Sequence, residues 1–188
     1  MTQQPTALDL PMVDPLPEST QKYFDVCRDK LGLIPNVLQA YAFDIDKLNA
    51  FTALYNDLML ADSGVTKLER EMIAVVVSSI NKCYYCLTAH GAAVRQLSGK
   101  PELGEQMVMN WRSADLNPRE TAMLGFAEMV TVSSHRIDEA DRQAMRDSGF
   151  SDRDIWDIIS VTAFFNMSNR VASASKMRPN AEYHALAR

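Results

Sequence analysis

Cys83 and Cys86 are two thiols three residues apart, and His90 follows four residues after the second. Such a dithiol can close a reversible disulfide, and an imidazole beside it can move the protons that this chemistry requires. The same three side chains could also supply part of a zinc site, so redox chemistry has to be weighed against metal binding. A helix over 83–97 puts Cys83, Cys86 and His90 within about 60° of one another on one face. Val94 and Leu97 continue that stripe. Cys83 would stand in the first turn, where free amides and the helix dipole favour a thiolate. Cys86 would stand one turn from His90, near enough for a proton contact.

Acidity alone does not make a good peroxide-reducing thiol. A thiol of pKa ~8.5 is only about 3% thiolate at pH 7, and lowering that pKa by ~2 units raises the thiolate roughly 25-fold. Lost basicity takes back about 6- to 10-fold in nucleophilicity, so the net gain is a few-fold. The departing oxygen also needs a proton, which a histidine linked to a carboxylate can supply. Glu71 is the candidate carboxylate, because its helix leads directly into the thiol segment.

Each residue also has a simpler reading. A lone CxxC is a zinc half-site or incidental about as often as a redox pair. Structural zinc usually takes four ligands, yet no second close Cys/His pair exists: His135 and His184 are isolated, and Cys27 is remote. Cys27 lies at helical spacing from Tyr23 and Leu31 and reads as core. A c-type haem needs histidine directly after the second cysteine, where this chain has Leu87. Taken singly, His90 would be a hydrogen-bonded core histidine, Glu71 a surface charge, and Tyr84 and Tyr85 packing.

The elements that must position these residues read as helices. The chain has 188 residues, 47% hydrophobic and 23% charged, with a formal net charge of −5. That suits one domain and, with no basic run, argues against a nucleic-acid partner. No apolar run approaches the ~20 residues of a membrane helix. The stretch from Met1 to Pro17 has neither the basic region nor the apolar core of a secretory leader, so a cytoplasmic location is expected. Residues 1–18 carry four prolines and form a separate arm, expected to be disordered or to lie across a neighbouring subunit. Residues 19–188 form the single domain, with its redox core at about 66–98.

Ser19 and Thr20 read as the cap of a helix to Leu31, stopped by Gly32. Helices follow over 36–43 and 44–60. Thr66-Lys67-Leu68-Glu69 is a capping box opening a helix to Ile80. That helix is apolar all round over Met72–Val77, so it belongs in a core or between subunits. Asn81-Lys82 breaks it before the thiols. Further helices are expected at 100–111, from Pro118 to Val132, from Asp138 to Gly149, and from Ser151 to Lys176. Leu68–Met72 and Pro118–Met123 echo each other, each opening an apolar helix followed by a break and another helix, which suggests a duplicated helical hairpin. The fold class is therefore all-α.

The pattern Glu71…Cys83-Tyr84-Tyr85-Cys86-Leu87-Thr88-Ala89-His90 resembles the core motif of the alkylhydroperoxidase D (AhpD) family, within the carboxymuconolactone decarboxylase-like superfamily. The glutamate twelve residues before the CxxC and the histidine four residues after it match that motif. The likeness runs from about Leu31-Gly32-Leu33-Ile34-Pro35-Asn36 to the C-terminus. The tail Phe165–Ala172 resembles the branch called peroxidase-related proteins.

The resemblance implies an AhpD-like helical bundle, homo-oligomers (often trimers or hexamers) and thiol-dependent hydroperoxide reduction without a cofactor or metal. It implies that Cys86 attacks the hydroperoxide, that Cys83 resolves the sulfenic acid to a disulfide, and that Glu71 and His90 relay protons. An external dithiol, of lipoyl type in the family, would restore the pair. Tyr85 departs from the family, whose better-characterised members have a histidine there. A phenol of pKa ~10 can support by hydrogen bonding but is a poor base at pH 7. Position and dipole favour Cys83 as the acidic thiol, whereas the resemblance assigns the attack to Cys86. The alternatives are a zinc-binding or redox-sensing helical module without turnover, and a redox-independent enzyme using His90 and Glu71.

Overall fold

Capping chemistry sets where the principal helices begin. The computed structural model describes residues 4–188. Its α-helices are α1 (Glu18–Leu31), α2 (Asn36–Tyr41), α3 (Ile45–Leu60), α4 (Lys67–Ile80), α5 (Tyr84–Ser98), α6 (Pro101–Asn110), α7 (Pro118–Ser133), α8 (Glu139–Asp147) and α9 (Asp152–Ala174). No strand occurs among the described residues. Reciprocal capping boxes open α4, α7, α8 and α9. In the first, the Thr66 amide donates to Glu69 Oε2 at 2.7 Å and the Glu69 amide donates to Thr66 Oγ1 at 3.2 Å. Each such cap stabilises a helix end by ~1 kcal/mol.

The remaining boundaries shift slightly. α1 starts at Glu18 with Pro17 as its cap, so neither Ser19 nor Thr20 caps it. Asp44 caps α3 by accepting from the Asp46 and Lys47 amides, which ends α2 at Tyr41.

α4 is the central helix. Met72 through Val77 have no solvent exposure, and α5, α6, α7 and α9 cover the helix on all sides. Its all-round apolar surface is thus satisfied inside one chain and requires no neighbouring subunit. Two charged residues of α4, Glu69 and Arg70, are buried and make polar contacts. Arg70 donates from Nη1 to the Leu58 and Ala61 carbonyls at 3.1 and 2.9 Å, and Glu69 pairs with Arg119 at 3.2 Å. α4 and α7, which carry the sequence echo, pack against each other, and each leads into a further helix.

The C-terminal segment lies against α5. After α9, residues 175–188 turn back across the bundle. Buried Arg95 of α5 holds them, donating from Nη2 to the Tyr183 carbonyl at 2.8 Å and from Nε to the Leu186 carbonyl at 3.0 Å. Asn180 bridges to the α2 entry, accepting from the Asn36 amide at 2.8 Å and donating to the Ile34 carbonyl at 2.9 Å.

The described part of the proline-rich arm pairs with its own chain at three points. The Ala7 amide donates to the Ser175 carbonyl, the Arg178 amide to the Pro5 carbonyl and the Val13 amide to the Ala42 carbonyl. Proline removes arm amides, which leaves few backbone pairs available to anchor it. The first three residues of the arm lie outside the described residues. No helix among the described residues is long and apolar enough to cross a membrane.

Candidate active site

The thiol pair is positioned by a tight turn between α4 and α5. The Lys82 amide donates to the Ser79 carbonyl at 3.2 Å and the Cys83 amide to the Ser78 carbonyl at 2.9 Å. This is the Schellman closure of a helix C-terminus, and it places Lys82 in the left-handed region at φ +55°. Cys83 follows as the N-cap of α5 with extended backbone. Its sulfur therefore sits at the mouth of the helix, one position earlier than the first-turn placement expected from spacing.

The turn also brings Glu71 to His90. Glu71 lies about 15 Å along α4 from Asn81, and His90 about 12 Å along α5 from Lys82, at 1.5 Å rise per residue. The two packed helices hold these positions level. His90 Nδ1 and Glu71 Oε2 are 2.6 Å apart, and their side chains are only 13% and 12% exposed. Phe165 of α9 packs against the His90 ring at 4.7 Å in a near-perpendicular arrangement. A carboxylate on Nδ1 fixes the ring and leaves Nε2 as the atom that can exchange a proton.

The two thiols are reduced and fully buried, yet their acidities diverge. Cys83 is lowered to about 6, chiefly because the Cys86 thiol donates a hydrogen bond to it. The Cys86 amide, the Ser173 hydroxyl and the charge of His90 act in the same direction, and burial opposes them. Cys86 is pushed up, first by that same hydrogen bond to Cys83, then by burial and by the charge on Cys83. Asn169 and Ser168 partly offset the rise. The two thiols thus share a proton along one hydrogen bond, which lowers Cys83 and raises Cys86.

Asn169 is a residue that the motif does not include. It is 1% exposed on α9, donates from Nδ2 to Ser78 Oγ at 2.9 Å and accepts from Asn81 Nδ2 at 3.0 Å. Asn81 also donates to Asn166 Oδ1 at 3.0 Å. This polar network ties α9 to the α4 C-terminus directly behind Cys86. A signal for it exists in the sequence: Phe165, Asn169 and Ala172 share one helical face, and an amide on an apolar stripe demands partners.

Tyr85, the supporting candidate, is buried, and burial pushes its phenol far above the usual range. Its oxygen accepts from the Val37 amide at 3.0 Å, so it pins the start of α2 to the thiol helix. It takes no proton at neutral pH. Tyr55 and Tyr183 border Glu71, whose charge adds to burial in raising both phenols.

The other candidate ligands do not join the site. Cys27 belongs to the main core, apart from the cluster of Cys83, Cys86, Tyr85, Ala172 and Met177. His135 is exposed beyond α7, and His184 lies on the C-terminal segment with Nε2 3.3 Å from the Tyr84 hydroxyl. Among the described residues, no three His, Cys, Asp or Glu side chains are grouped to hold a metal ion.

Comparison with known proteins fits this geometry. Residues 46–129 match the carboxymuconolactone decarboxylase family. An uncharacterized peroxidase-related protein from Silicibacter sp. TM1040 is 68% identical, with a TM-score of 0.96 over 99% of this chain and 97% of that one. An uncharacterized peroxidase-related protein with an alkylhydroperoxidase AhpD core, from Ralstonia eutropha JMP134, is 42% identical, with a TM-score of 0.95 over 99% of this chain and 98% of that one. The debrominase Bmp8, in complex with 2,3,4-tribromopyrrole, is 19% identical with a TM-score of 0.78 over 99% of this chain and 96% of that one, and shares the fold alone. No curated protein matches the chain. The chain belongs to the carboxymuconolactone decarboxylase superfamily as an AhpD-like member.

Proposed function

We propose that this protein reduces hydroperoxides with the Cys83–Cys86 dithiol, assisted by Glu71 and His90. The observation that carries this reading is the 2.6 Å Glu71–His90 pair beside two thiols of opposite acidity. A proton-moving dyad and a poised thiolate are the two things that peroxide reduction by a cysteine requires.

The acidic thiol makes the first attack in this reading, which gives Cys83 the role that the family resemblance gives to Cys86. The Cys83 thiolate attacks one peroxide oxygen, a sulfur–oxygen bond forms and the O–O bond breaks. The leaving alkoxide takes a proton through His90 and departs as an alcohol. Cys86 then attacks the Cys83 sulfenic acid, closing the disulfide while its proton leaves with the hydroxyl as water. Sulfur has lost two electrons and the peroxide has gained them. An external dithiol, of lipoyl type by analogy with the family, returns both electrons and both protons by thiol–disulfide exchange. The homo-oligomer expected from the family belongs to the same proposal, resting on that likeness alone.

The test is a peroxide-consumption assay across several dithiol donors, paired with mass analysis of the protein after one equivalent of peroxide. Wild type should lose two thiols to an intramolecular disulfide and turn over with at least one donor. Cys86→Ser should stop at a Cys83 sulfenic acid and lose turnover. Full turnover in Cys86→Ser removes the dithiol mechanism.

A further inference from the structure

Beside Cys83 is a cavity of about 390 Å³ lined by Cys83, Tyr84 and three cationic residues, Lys82, Lys176 and Arg178. Its volume falls within the range of small-molecule sites, ~300–1,000 Å³. No carboxylate lines it. None of the three cations forms an ion pair among the described residues. Three unpaired cations around one cavity run against the background of a chain with net charge −5.

The backbone makes the arrangement more specific. α4 and α9 end in the same Schellman closure. In α9 the Lys176 amide donates to the Ser173 carbonyl at 3.2 Å and the Met177 amide to the Ala172 carbonyl at 2.8 Å. The left-handed residue of that closure is normally glycine, because a side chain there is strained. This chain does use glycine after α1 and α5, at Gly32 and Gly99. After α4 and α9 it uses lysine, with Lys82 at φ +55° and Lys176 at φ +52°, and both of these lysines line the cavity. Strain retained where glycine would relieve it points to a use for the side chain.

Ala172, Met177 and Pro179 make part of the remaining wall apolar, and Ser173 adds a hydroxyl. Met177 lines the cavity and also lies in the buried cluster that contains both thiols. Methionine repacks readily, which leaves room for a ligand tail beside the thiols.

We propose that this cavity binds an organic hydroperoxide bearing a carboxylate, held by Lys82, Lys176 and Arg178, and delivers its O–O bond to Cys83. This rests on the peroxidase reading above and names its substrate class. The chemistry is the same as before: the Cys83 thiolate takes the distal oxygen, the O–O bond breaks, and the protonated product leaves as the hydroxy acid.

Linoleic acid hydroperoxide and its methyl ester differ only in the charge that the cavity would read. The first arm compares their kcat/KM values below the concentration at which the acid forms micelles. Wild type should prefer the acid. In Lys82→Gln/Lys176→Gln/Arg178→Gln that preference should fall by about tenfold, given three solvent-facing contacts of modest strength each. Added salt should erode the wild-type preference in the same direction. An acid-to-ester ratio that is unchanged in the triple variant overturns the proposal.

The second arm measures binding of the unreactive hydroxy acid and its ester by calorimetry, with circular dichroism reporting that the variant is folded. Tighter binding of the acid, lost in the variant, supports the cavity even if neither peroxide is turned over, in which case only the peroxidase reading falls. Equal binding of acid and ester by wild type overturns the cavity proposal whatever the turnover.

Discussion

Replacing Cys86 by alanine should make Cys83 less acidic, contrary to the expectation that removing a neighbouring ionisable group leaves a thiolate better off. The largest cause of the low Cys83 pKa is the hydrogen bond donated by the Cys86 thiol. A hydrogen bond to a charged group contributes about 1.5–3 kcal/mol, equivalent to about 1–2 pKa units. The variant should therefore move Cys83 from about 6 to roughly 7–8. At pH 7 the thiolate fraction would fall from about 90% to about 10–50%. The assay is the far-ultraviolet absorbance of the thiolate, titrated under reducing conditions in a Cys27→Ser background. It reads ionisation directly and needs no reagent to reach a sulfur with no solvent exposure. Cys86→Ser should recover most of the acidity, because a hydroxyl can donate the same bond. A Cys83 midpoint that stays near 6 in Cys86→Ala would refute the shared-proton account and leave the helix mouth and His90 as the determinants.

Two further outcomes follow from the same geometry. Glu71→Gln keeps the shape of the dyad but removes the charge held against His90 Nδ1. Peroxide turnover should drop by about 10²-fold or more, while the thiol count and the fold are preserved; turnover within a factor of two of wild type would remove Glu71 from the mechanism. Stability of the reduced protein should depend on pH in a defined direction. Cys83 titrates near 6 when folded and near ~8.5 when unfolded, so between these values the folded state binds fewer protons. Stability should rise with pH across that window, by at most about 1.4 kcal/mol per unit, and be lost as pH falls through 6. Above the ordinary thiol pKa the raised Cys86 keeps a proton that the unfolded chain gives up, and stability should fall again. Urea midpoints measured from acid to alkaline pH, with Cys83→Ser as the control that lacks the rise between pH 6 and ~8.5, decide this.

Much of the helical scaffold was legible because its signals are local. Thr66 with Glu69, Asn117 with Glu120 and Ser151 with Asp154 each satisfy amides within one turn, so residue type and spacing suffice to mark α4, α7 and α9. The misplacement of the α1 start has the opposite cause. Ser19 and Thr20 are good caps in isolation, but the chain is already helical at Glu18, and Thr20 is buried instead. Met72–Val77 shows a different limit. Its apolarity correctly implied burial, but whether the cover comes from the same chain or from a partner depends on α5, α6, α7 and α9, which no local pattern reveals. The arm's pairing partners lie at Ala42, Ser175 and Arg178, far along the chain, so no local pattern reveals them either.

The sequence by itself determined the chemical inventory: Cys83, Cys86 and His90 at helical spacing, a carboxylate at Glu71, and a break at Asn81-Lys82 between them. Their types and order are covalent facts, and helical periodicity carries them a turn or two. Only the tertiary structure decided which groups touch. The α4–α5 turn sets Glu71 against His90, the bond between the thiols lowers Cys83 and raises Cys86, and Asn169 arrives from α9 to close the polar network behind Cys86. Proton affinities depend on desolvation and on partners within a few ångströms. Those partners come from elements as far as 91 residues away, and chain packing, which periodicity does not encode, brings them together.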